Sequence, residues 1–140
     1  EIHKTFKYHG AEHKTIACYE AELELTVENV RKQIRFHPRC GTSFIFLVVL
    51  LSIIIGMFLP WKNLWARFGL QLLMLIPETS IGYELIKLAG RYDNIFTRII
   101  SAPGIWLQHI TTCEPDDPQI EVAIAALKPC IPENKEDDKW

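Results

Sequence analysis

The stretch GTSFIFLVVLLSIIIGMFLPW, Gly41 to Trp61, carries no charged side chain. A helix rises about 1.5 Å per residue, so a run of this length can cross the ~30 Å hydrocarbon layer of a bilayer. The sequence predicts a first membrane span from Ser43 to Leu59, stopped by Pro60, with Trp61 and Trp65 in the interfacial belt.

A second apolar stretch, Phe68 to Tyr83, follows and is interrupted by Pro77 and Glu78. Pro77 kinks or breaks a helix, and an acid at such depth must face protein, water or a metal. A kinked return crossing and a re-entrant element both fit. The fold class expected is an all-α membrane protein with about two membrane-embedded helices and cytoplasmic helices on either side. Arg31, Lys32, Arg35 and Arg39 precede the first span and Lys87, Arg91 and Arg98 follow the second, whereas the loop between holds only Lys62 and Arg67. This places both ends of the chain on the cytoplasmic side.

The organisation expected is a cytoplasmic helical segment over 1–40, a membrane-embedded hairpin over 41–90, an interfacial segment and cytoplasmic helix over 91–128, and a frayed tail over 129–140. Within 1–40, a helix is predicted from Ala11 to Glu22, and a short one after an N-cap at Thr26, running through Ile34. Pro38 and Gly41 bracket the turn FHPRCGTSF that leads to the membrane. Ile95 to Leu107, broken by Pro103 and Gly104, reads as a surface-lying segment. CEPDDP then supplies a turn and an acidic start for a helix from Gln119 to Lys128.

The chain has 140 residues with 15 basic and 17 acidic side chains, a net charge of -2. That balance offers no general attraction for nucleic acid. Its 4 cysteines, Cys18, Cys40, Cys113 and Cys130, are too sparse for a small secreted disulfide framework, so a reduced setting is expected. Residue 1 is Glu and the methionines are Met57 and Met74, so the chain is expected to be a processed product or a piece of a longer protein. No nucleophile elbow, P-loop or dinucleotide fingerprint occurs.

The sharpest chemical signal is His9-Gly10-Ala11-Glu12-His13, an H-x-x-E-H pattern. On a helix, residues four apart share a face, so His9 and His13 can share a zinc ion while Glu12 acts as general base on metal-bound water, the inverse-zincin arrangement. Gly10 inside the motif weakens the helix this requires. His37 and Cys40 in HPRC are the first candidates for further ligands, because their spacing around a turn suits a metal knuckle. Glu78 and Glu84 are rivals for the third position. The alternatives are that the histidines are hydrogen-bonded structural residues, that Cys40 is a small buried residue, and that Glu78 pairs with Arg39 or Arg67. Glu114, Asp116 and Asp117 lack the spacing of a calcium loop and read as helix capping, and His109 stands alone.

The runs YHGAEHKTIACYEA, LTVENVR, RFHPRCGTSF, GYELIKLAGR and EPDDPQIEVAIAALK resemble the C-terminal half of the YqhQ-like family of bacterial membrane proteins, a domain-of-unknown-function family. The resemblance implies an integral protein of the bacterial inner (plasma) membrane, with members about twice as long that begin with a Gly-rich segment and further spans. It assigns no activity, and it implies that the missing N-terminal half is a partner of the segment read here. Cys113 departs from the family pattern, in which a basic residue is common, and is given no role.

Two functions compete. One is a zinc-dependent, peptidase-like hydrolase at the cytoplasmic membrane face, with Glu12 catalytic, the metal on His9, His13 and one more ligand, and Arg39 or Lys14 steadying the oxyanion. The other is a noncatalytic membrane scaffold or assembly factor with a closed, structural metal site drawing on His37 and Cys40. Transport through Glu78 ranks behind both, because two spans make no pathway without partners or homo-oligomerisation.

Overall fold

A computed structural model of the chain describes residues 1–60, 63–92 and 94–133. Every regular element among them is helical: α1 (Ile2–Glu20), α2 (Val27–Arg31), α3 (Gly41–Phe58), α4 (Leu64–Arg91), α5 (Ile95–Thr111) and α6 (Asp117–Leu127), with a short 3-10 turn at Lys128–Cys130. The expected interfacial Trp61 and loop Lys62, and the tail beyond 133, lie outside the described residues. The chain divides into two compact units, one of residues 1–37 with those from Trp106 on, the other of Pro38–Ile105.

In the first unit α1 packs on α2 and α6, around a core of Ala11, Cys18, Val30, Ile120 and Ile124. Burying Val30 and Ile120 completely contributes about 1.5–3 kcal/mol each. Helix α1 begins well before the expected Ala11 and runs unbroken through Gly10. A Cβ at Gly10 would strike the carbonyl oxygen of Cys113, whose own N–H donates to the Phe6 carbonyl at 2.9 Å. The glycine that weakens the helix is therefore where another backbone segment approaches it. Glu22, at φ 55°, takes the left-handed conformation that ends α1, and the N–H groups of Glu22 and Leu23 reach back to the carbonyls of Tyr19 and Cys18. Thr26 caps α2 as expected, accepting from the Asn29 N–H at 3.3 Å, although α2 stops at Arg31, short of Ile34. At α6 the Asp116 N–H donates to Gln119 Oε1 at 2.7 Å, and the helix starts at Asp117, two residues early.

The second unit is a hairpin of α3 on α4, with the first part of α5. Its burial is inverted: in α3 the buried residues are Ser43 and Gly56, in α4 Glu78 and Gly82, while Ile45, Ile53, Phe68 and Leu72 are exposed. Gly82 lets α3 approach, since a Cβ there would meet Val48 and Phe44. Small residues inside and large apolar ones outside suit helices that pack within lipid.

Among the described residues one helix, Gly41–Phe58, is long and apolar enough to cross a membrane, where about two were expected. Helix α4 fails on composition, since Arg67, Glu78, Glu84, Lys87 and Arg91 are spread along it. It is one unbroken helix with Pro77 inside. Thr79 Oγ1 donates to the Leu75 and Ile76 carbonyls at 2.8 and 2.9 Å, and Ser80 Oγ to Ile76 at 2.9 Å, so hydroxyls attend to backbone oxygens of the turn that the proline disturbs. The expected interruption at Pro103 is likewise absorbed inside α5.

Candidate metal centre

His13 follows His9 by four positions on α1, which brings their imidazoles edge to face on one side of the helix, ring centroids 4.4 Å apart and planes at 69°. A ring nitrogen of each lies within 4.8 Å of one on the other. His37 comes beside them, its ring 6.0 Å from that of His13. His13 and His37 are buried and His9 is half-buried.

The hydrogen bonds fix the chemistry of the pair. His9 Nδ1 lies 2.9 Å from the Thr111 carbonyl oxygen and His13 Nδ1 2.7 Å from that of Arg35. A carbonyl only accepts, so each Nδ1 carries the proton and donates, the orientation in which a metal would meet the ring at Nε2. Metal-binding histidines are oriented this way, by a second bond from the other ring nitrogen.

His37 is held differently. Its Nε2 sits 3.1 Å from Glu20 Oε2. Its backbone N–H donates to Gln108 Oε1 at 2.9 Å, and its carbonyl accepts from Gln108 Nε2 at 2.7 Å. Gln108 is fully buried, so one side chain holds both main-chain groups of His37. A lone glutamine in a helix carries no motif, and neither Gln108 nor Glu20 was visible beforehand. His109 stacks on Phe36 at 4.4 Å, a packing role.

The surroundings are cross-braced. Lys14, 6% exposed, meets Glu114 at 2.7 Å and donates to the Arg31 carbonyl at 3.0 Å, so the side chain expected to steady an oxyanion is already committed. Arg35 reaches Glu114 at 3.5 Å, Lys7 reaches Asp116 at 2.6 Å and Arg31 holds Asp117 at 2.5 Å. The hydrogen bond and charge of Asp117 raise the Arg31 pKa, and Lys32 holds the Glu28 carboxyl below its usual range. Burial pushes the Cys18 thiol up.

Glu12, the expected general base, is exposed, one residue before buried His13. Cys40, Glu78 and Glu84 belong to the second unit. Cys40 is buried, with Sγ 3.0 Å from Thr42 Oγ1. Glu78, a rival for the third ligand, is buried and takes the Ser52 hydroxyl, not the alternative partners Arg39 or Arg67, and Glu84 is exposed.

These features define an all-helical protein that carries a buried imidazole cluster beside an apolar hairpin in its sequence. The family described as "Protein of unknown function (DUF1385)" matches residues 1–133, and the chain belongs to it. Among curated proteins it is similar to the "Uncharacterized protein YqhQ" of Bacillus subtilis (strain 168), 43% identical over 127 residues. The match takes in 90% of this chain and 40% of that relative, so the chain spans well under half of the relative's length. No solved structure matches the chain.

Proposed function

We propose that this chain is a membrane-associated scaffold whose first-unit helices are clasped by a zinc ion, bound by the imidazoles of His9 and His13 and one further ligand. The observation that carries the reading is the pair of Nδ1 bonds to the Thr111 and Arg35 carbonyls, which orients two imidazoles as a metal would require. Imidazole is a borderline donor that suits zinc. Such an ion supplies cross-linking energy when its ligands close around it, and Lewis acidity when one position stays open.

The clasp reading is favoured because the bonded carbonyls come from the end of α5 and from the segment after α2, so the histidines tie three stretches together. Partners on this reading are the lipid bilayer, the remaining part of the longer family architecture, and a second copy of the chain. The inverted burial of the hairpin and the excess of Lys and Arg outside it support a location in a bacterial inner membrane with both ends cytoplasmic.

One observation keeps a zinc hydrolase in play: exposed Glu12 lies next to His13, where solvent can reach it. Metal content per chain and a complementation assay, run on His13→Ala and Glu12→Gln, separate the two. The scaffold predicts that His13→Ala loses metal and stability together while Glu12→Gln retains both metal and function. A dead Glu12→Gln that keeps its metal refutes the scaffold, and wild-type chain without metal refutes the site. Labelling of a cysteine engineered at Asn63 by a membrane-impermeant thiol reagent on intact cells, with none at residue 2, tests the orientation.

A further inference from the structure

Glu78 is the one acid among the described residues that is fully buried, and it sits in the hairpin, not in the histidine cluster. One oxygen, Oε2, accepts from the Ser52 hydroxyl, and the other, Oε1, is buried with no hydrogen-bond partner. A carboxylate left half-satisfied in an apolar surround costs several kcal/mol unless something positive joins it. Helix α3, packed against it, carries no charge. On α4 the neighbouring charges are Arg67, eleven residues back or about 16 Å along the helix, Lys87, nine residues on or about 14 Å, and exposed Glu84, six residues on or about 9 Å. Arg98 of α5 is exposed. Arg67 donates to the Gly56 carbonyl at 3.1 Å. Among the described residues no cationic side chain bonds Glu78 Oε1.

The acid also has a way out. An open groove between α3 and α4 is lined by Ser52, Gly56, Arg67 and Gln71 among others. Gln71 donates to the Ser52 carbonyl at 3.3 Å, which fixes the wall of the groove at Ser52. Ser52 thus faces the groove and bonds Glu78 behind it.

We propose that Glu78 and Ser52 form a binding site for a monovalent cation, a proton or a sodium ion, reached along this groove. The cation joins the vacant side of the carboxylate at Oε1, and Ser52 supplies a second oxygen. Buried acids within apolar helices serve as such sites elsewhere in membrane proteins. The site is independent of the zinc proposal, since it uses none of the same residues.

The test is a hydrophobic carbodiimide applied to the purified full chain in detergent, in sodium-free choline buffer. The reagent takes up a protonated carboxyl: the acid O–H adds across its C=N bond and the acyl group then shifts to nitrogen, leaving one whole reagent attached and nothing lost. Peptide mapping by mass is expected to find the adduct on Glu78, with none at that position in Glu78→Gln. Sodium chloride replacing choline chloride at constant ionic strength distinguishes the occupants. A tenfold or larger drop in labelling identifies sodium, and in that case Ser52→Ala shifts the sodium needed upward by about tenfold; unchanged labelling identifies the proton. Unmodified Glu78 in the sodium-free wild-type chain, with adducts on exposed acids such as Glu84 or Glu121, overturns the proposal and needs no variant to fold.

Discussion

Gly10→Ala tests the packing of the first unit and the histidine pair together. A helix interior gains from this change, since alanine is about 1 kcal/mol better than glycine there. Here the new methyl would overlap the Cys113 carbonyl oxygen. Unstrained carbon and oxygen need about 3.5 Å, so α1 and the end of α5 must part by about 1 Å or more. Overpacking of this kind costs about 1–3 kcal/mol, and loss of the Cys113-to-Phe6 backbone bond adds about 1. The net expectation is a destabilisation of about 1–3 kcal/mol, read by urea denaturation with Gly69→Ala as control, because a Cβ at Gly69 meets nothing within 4 Å. Thr111, the carbonyl partner of His9, lies two residues before Cys113 and moves with it. Zinc affinity should therefore fall about 10- to 100-fold, the usual effect of disturbing a ligand's supporting bond. A Gly10→Ala chain as stable as Gly69→Ala and equal in zinc affinity to wild type would falsify both the close approach and its link to His9.

Glu22→Gly should stabilise the chain by about 0.5–1 kcal/mol in the same denaturation assay, because the left-handed backbone strains any residue with a Cβ; a loss of stability contradicts the helix stop as described. Gln108→Leu should cost about 2–4 kcal/mol, since it strips the partners from a buried N–H and a buried carbonyl at once, and a cost below about 1 would show that His37 is held by other means. Cys18 should react with a thiol reagent far more slowly than exposed Cys130, in step with global unfolding. Its folded pKa stands above the unfolded one, so the stability it contributes is complete below the ordinary thiol range near about 8.5 and is lost as pH rises through the folded value. Cys18→Ala should flatten that alkaline decline, and an unchanged curve removes Cys18 as its cause.

The elements readable from sequence were those with periodic or uncharged patterns: the apolar helix α3 within two residues of its ends, the Thr26 cap, and the acidic start of α6. The misjudged boundaries share a cause. Gly10, Pro77 and Pro103 are breakers by local preference, yet each is carried inside a helix; at Gly10 a tertiary neighbour and at Pro77 nearby hydroxyls offset the local cost. The pairing of His9 with His13 was legible because helical spacing dictates it, and HPRC brought His37 close. What locks those rings was not legible, since a backbone carbonyl such as that of Thr111 or Arg35 has no sequence signature. Gln108 and Glu20 escaped for the same reason: their partners are distant in sequence and belong to no motif.

The grip of Gln108 on His37 is a primary amide standing in for a peptide unit, offering one donor and one acceptor in the order the main chain needs. That makes it chemically mortal. Hydrolysis of the amide to a carboxylate would leave the Oε1 bond to the His37 N–H intact but would replace the nitrogen facing the His37 carbonyl with a second oxygen, so that two lone-pair-bearing atoms oppose each other where a 2.7 Å bond had been. A change of one mass unit, without any substitution, would loosen the stretch that leads into HPRC. Aged protein should carry that lesion preferentially in its unfolded fraction, because water reaches the amide only when the first unit opens.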